Sequence, residues 1–124
     1  MKTFNEFETA VEKARSGALT MQALLRQMMD ADLALPSATE VMRDGTGFQP
    51  LLFPKENAQM LACFTDKSRL AEYISLAPYC LVMKGRELLS RVPPGYGLVV
   101  NPGTSSLGFD VSPEGVTKIR EDFA

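Results

Sequence analysis

Two arginines are the residues best placed for ligand chemistry. Arg69 follows "FTD" and Arg86 follows "MKG", each near the start of an expected helix. A guanidinium is a planar fork that grips carboxylate or phosphate through two hydrogen bonds, and a helix N-terminus adds a dipole that favours anions. Together they would suit a small anionic metabolite. The plainer expectation is that each is solvated or pairs with a neighbouring carboxylate such as Glu72 or Glu87. Asp30 and Asp32 are alternate residues that would share a face if extended, but they stand where a helix gives way to a strand and read as a solvated junction. Gly45-Thr46-Gly47 lacks the Lys-Ser/Thr pair of a phosphate loop and reads as a turn.

Other chemistries are excluded by what is missing. The chain has no histidine, so catalytic triads and dyads built on imidazole cannot form, and the commonest nitrogen ligand for metals is absent. With only Cys63 and Cys80 beside that, a four-ligand nitrogen and sulfur zinc site cannot be completed. No Gly-x-Ser-x-Gly elbow occurs, and serines have no evident base. No catalytic residue, metal or cofactor is expected, and the protein is not expected to be an enzyme. A net charge of -2 with scattered Lys and Arg gives no footprint for nucleic acid. No stretch is apolar for long enough to cross a membrane. The N-terminal "MKTFNEFETAVEK" puts carboxylates where a signal peptide needs its apolar stretch, so a cytoplasmic protein is expected. Both cysteines lie in apolar runs and are expected in the core. A bridge between them is possible only if their strands are adjacent.

The elements that must position these residues are legible from pattern. The 124 residues are expected to form one domain, 1–124, in which 1–19 is an N-terminal helical extension. Thr3 and Glu6 have capping-box spacing, and Phe4, Phe7, Val11 and Ala14 recur helically until Ser16-Gly17. A second helix from Thr20 carries Met21, Leu24, Leu25, Met28 and Met29 on one stripe, and the two helices are expected to form a hairpin. Methionine is soft enough to repack against partners, which makes Met21, Met28 and Met29 candidates for an interface, although such a stripe more commonly faces its own core.

Period-two patterning begins after Asp30. "FQPLLFP" and "MLACFT" are expected to pair as an antiparallel hairpin through "KENAQ". Thr65 or Asp66 would cap a helix with Leu70, Tyr73 and Ile74 on one face, ended before Pro78. "YCLVM" is apolar throughout and is expected at the sheet centre, covered on both faces by helices or by a second copy of the chain. A short helix at "GRELLSRV", a strand at "LGFDV" and a last helix from Ser112-Pro113-Glu114, packing through Val116, Ile119 and Phe123, complete the chain. The fold class is α+β: a helical hairpin, then a mixed and mostly antiparallel sheet of about five strands with helices packed on it.

"PPGYGLVVNPG" at 93–103 reads as a strand with a turn at each end. Asn101 would fix the Pro-Gly turn with its side-chain amide or meet a partner, and Tyr96 offers an amphipathic contact. The succession "LLF", "MLACFTD" with Arg69, "YCLVMKGRELL", "PPGYGLVVNPG" and "GFDVSPEGV" resembles the N-terminal domain of the SseB (enhanced serine sensitivity) family over roughly residues 20 to 124. The resemblance implies a cytoplasmic bacterial α+β domain with no established biochemical activity and supplies no catalytic residues. The longer members carry a second domain with no counterpart in these residues. The expected function is therefore noncatalytic protein interaction, as an adaptor, an immunity-like partner or a homodimer, with binding of an anionic metabolite as the alternative.

Overall fold

The computed structural model describes residues 3–44, 46–103 and 107–123, without the side chain of Phe123. Gly45 and the Phe123 contact expected of the last helix lie outside what is described.

Helix α1 (Glu6–Arg15) starts two residues later than the capping-box spacing predicts. Asn5 is the cap, its side chain accepting from the Glu8 amide at 2.9 Å. Glu8 in turn accepts from the Phe4 amide at 2.7 Å. The helix stops at Ser16, where Gly17 supplies a positive φ. Helix α2 (Met21–Asp30) is capped by Thr20, as its sequence implies, and packs on α1 as a hairpin. The core joins the two: Phe7, Ala10 and Val11 of α1 meet Leu24, Met28 and Met29 of α2.

Among the described residues, six strands form two sheets. Strands β1 (Asp32–Ser37) and β4 (Tyr79–Lys84) pair antiparallel. The other four, β2 (Leu52–Lys55), β3 (Ala58–Cys63), β5 (Gly97–Val100) and β6 (Phe109–Val111), lie in the order β2-β3-β5-β6. The β2–β3 hairpin forms as expected, Lys55 facing Ala58 across a turn in which Glu56 has φ 54°. Strand β3 runs parallel to β5, which is antiparallel to β6. A bridge in which the Ala34 and Phe64 backbones each donate to the other at 2.8 Å ties the two sheets together.

The apolar run 79–83 is not the sheet centre. Among the described strands β4 has a single neighbour, β1, and Tyr79, Cys80 and Val82 are exposed while Met83 alone is buried. The centre is held by β3 and β5, where Ala62, Cys63, Leu98 and Val100 are fully buried. Continuous apolarity signalled burial on both faces, but the chain instead leaves β4 at an edge. Residues Lys67–Tyr73 form a 3-10 helix rather than an α-helix, capped by Asp66. Leu70 and Tyr73 pack beside Phe64, whereas Ile74, expected on the same face, is exposed because the tighter winding rotates it away.

Helix α3 (Gly85–Arg91) follows β4 directly, and Gly85 explains how closely it sits on α2. A Cβ at that position would fall 1.8 Å from the Met28 carbonyl oxygen, so only glycine permits the approach. Helix α4 (Pro113–Phe123) sends Arg120 back to α3, where Nε donates to Leu89 O at 2.6 Å and Nη2 to Val92 O, satisfying carbonyls that the end of α3 leaves open.

Candidate functional site

The densest polar cluster is built on Glu8. It stands at i+4 from Phe4 and i−3 from Val11, within the apolar stripe of α1, and its side chain is fully buried. Arg69 grips it bidentately, Nε to Oε2 at 2.5 Å and Nη2 to Oε1 at 2.8 Å, with 10% of the arginine side chain exposed. The Thr65 hydroxyl also donates to Oε2. Burial on its own would raise the Glu8 carboxyl, but hydrogen bonds from Arg69, Thr65 and the Phe4 amide, with the arginine charge, hold it below its ordinary value. The Phe4 ring lies over the guanidinium, 4.5 Å from Cζ to the centroid.

Asn101 extends the cluster. Its φ of 51° turns the chain after β5, and its side chain is buried. Oδ1 accepts from the Thr65 amide at 3.1 Å, while Nδ2 donates to Thr65 Oγ1 at 2.9 Å and to Leu107 O at 3.1 Å. Asn5 Nδ2 donates to Thr65 O at 2.7 Å. Every described buried side-chain polar atom has a partner, so the network is closed and serves to lock α1, β5 and the start of the 3-10 helix together. Glu8 was missed by sequence reading. Its signal was a carboxylate standing inside a helical apolar stripe.

The two arginines do not form one anion site. Arg69 is committed to Glu8, and Arg86 pairs with Asp30 at 2.8 Å on the surface. Asp32 takes Lys84 at 2.8 Å, so Asp30 and Asp32 each have their own cation and share no site. Met28 and Met29 are buried in the core and present no surface, because the α2 stripe packs against α1, while Met21 at its end is exposed. Tyr96 is half-buried against the core. Cys63 is buried and pushed up to about 12 by desolvation. Cys80 is exposed, contrary to the core position expected of it, and both are free because β3 and β4 are not neighbours. No cluster of described residues could hold a metal ion, and no described helix is long and apolar enough to cross a membrane.

What remains open is β4. Its outer edge pairs with no described strand, and Tyr79 and Val82 are 44% and 41% exposed. Ile74 and Leu76, in the segment leading into it, are also exposed. By register, Val82 stands opposite Ala34, and Cys80 and Lys84 opposite Pro36 and Asp32, on one face of the small sheet, where Cys80, Val82, Lys84 and Asp32 are exposed while Ala34 and Pro36 are buried. Beside that face runs a cleft of about 550 Å³, bounded by the start of α1, the start of β1 and the segment Thr65–Lys67.

The chain matches the family model for the SseB protein N-terminal domain over residues 7–118, a span that takes in α1 from Phe7 onward. No curated protein and no solved structure matches it.

Proposed function

Because the chain belongs to the SseB family through its N-terminal domain, we propose that it is a noncatalytic cytoplasmic module that binds another protein, using the open edge of β4. The observation that carries this reading is β4 itself: a six-residue strand paired, among the described residues, on one side only, bearing exposed Tyr79 and Val82. Unpaired strand amides and carbonyls are a template for another chain, and natural proteins blunt such edges with charge, proline or a bulge. Between Tyr79 and Met83 this strand has none of these, its only charge being Lys84 at the end. Addition of a partner strand satisfies the backbone and covers the apolar side chains together.

Cys80 lies on this strand, and the other cysteine is buried, so a photo-crosslinker can be attached at Cys80 alone. Burial raises the Cys80 thiol, partly offset by Lys67, so labelling is best done at alkaline pH. In extract of the native host, the Cys80 probe should form a stoichiometric adduct with one protein. The same probe at Lys118→Cys on the exposed face of α4, in a chain that also carries Cys80→Ser, should not. Equal adducts from both positions, or turnover of a defined metabolite by the pure protein, would overturn the reading.

A further inference from the structure

We infer that the occupant of the β4 edge is an extended segment of another protein with a lysine or arginine that reaches into the adjoining cleft. This inference rests on the edge reading and adds the chemistry of the partner. A strand added to β4 places alternate side chains on the Val82 face, so the residue standing across from Val82 leaves the sheet on the same face as the cleft, and a long side chain there reaches the cleft by passing over Val82, which forms its near wall.

The cleft is lined by both apolar and acidic side chains. Ala34, Val82 and Phe7 form apolar lining suited to the methylene stem of a long cationic side chain. Among the described lining residues Glu6, Asp32 and Asp66 supply three carboxylates and Lys67 one cation, and the Arg69 charge also acts on Asp66 from behind the lining. Asp32 is shared with Lys84, but among the described residues Glu6 and Asp66 make no ion pair. Each has a local task, Glu6 in the first turn of α1 and Asp66 capping the 3-10 helix, and the Arg69 charge that acts on Asp66 is itself gripped by Glu8. A partner cation entering here would meet complementary charge beside a partly dry wall, which favours both the fit and the choice of partner.

A second copy of this chain fits the same surface poorly. In a self-pairing centred on Val82, the copy brings Val82 to the position facing the cleft and sets its Lys84 beside Cys80, where Lys67 already acts. Like charges meet there, and Glu6 and Asp66 gain no cation from the copy.

The test uses three acetylated and amidated peptides, Thr-Val-Xaa-Val-Thr, with lysine, norleucine or glutamate at the centre, titrated into the full chain and followed by amide chemical shifts. The lysine peptide should shift β4 amides and bind roughly three- to tenfold tighter than the norleucine peptide, a preference that shrinks in high salt. The glutamate peptide should be the weakest. In the double variant Glu6→Gln, Asp66→Asn, which keeps an N-cap at 66, the lysine preference should vanish while norleucine binding is unchanged. Equal affinity for lysine and norleucine on β4 would overturn the inference and leave the edge reading standing. No shift on β4 with any peptide would sink both. Sedimentation showing a dimer that Val82→Lys dissociates would identify the occupant as a second copy and overturn the inference.

Discussion

Glu8 and Arg69 set the energetics at the scale of single residues. A buried charge whose partner is removed is left uncompensated, so Glu8→Gln should cost about 3 kcal/mol at neutral pH, read as a lower urea midpoint with unchanged slope. The pH dependence has a definite sign. The Glu8 carboxyl is lowered in the folded chain, so the unfolded state binds more protons over the intervening range and stability rises with pH there. The contribution is full above the ordinary glutamate range and is lost as pH falls below about 4. The gap between wild type and Glu8→Gln should therefore narrow between pH 7 and pH 3, and a gap constant across that range would contradict the assignment. Asn101 gives a second prediction. Asn101→Gly keeps the positive φ but loses three hydrogen bonds and should cost about 2 kcal/mol, while Asn101→Ala should cost about 1 kcal/mol more by adding backbone strain. Equal costs would show that the φ of this residue carries no strain. Sequence reading reached Asn101 because Asn-Pro-Gly is local turn chemistry. It could not reach Glu8–Arg69, which joins residues 61 positions apart.

At the scale of elements, what was legible followed local physics. Thr20 and Asp66 cap the segments they precede, "KENAQ" turns a hairpin, and Ser16-Gly17 ends α1, since each depends on a few adjacent residues. The position of β4 depends on which strand comes beside it, and apolarity alone does not distinguish a covered centre from an edge awaiting cover. The 3-10 winding of Lys67–Tyr73 was equally hidden, because the same caps open both kinds of helix. Packing of α3 on α2 gives a test at this scale. Gly85→Ala would drive a methyl group into the Met28 carbonyl and should cost about 4 kcal/mol or prevent folding. Gly95→Ala, at φ 83° with nothing nearby, should cost only about 1 kcal/mol of backbone strain. Thermal denaturation of the two variants checks the contrast, and similar losses would mean that the α2–α3 approach is not as close as described.

At the scale of the whole molecule, the most deeply buried strands and the proposed binding edge lie in different sheets. The four-stranded sheet holds the fully buried side chains of Ala62, Cys63, Leu98 and Val100, and the helices close over it. The two-stranded sheet hangs on β1, and its other strand keeps one edge in solvent. Amide exchange should reflect this order, because exchange in the sheet centre requires global opening while an unpaired edge amide needs none. Amides of β3 and β5 should be the slowest in the protein, and those of β4 should alternate, inward ones protected by β1 and outward ones exchanging rapidly. Val82→Lys, at an exposed position, should leave the β3 and β5 rates within a few-fold of wild type, since substitutions of this kind stay within about 0.5 kcal/mol. A bound partner strand should slow the outward β4 amides selectively. If these amides already exchange as slowly as those of β5 in the free, monomeric chain, the edge is covered from within, and no partner is needed to complete the sheet.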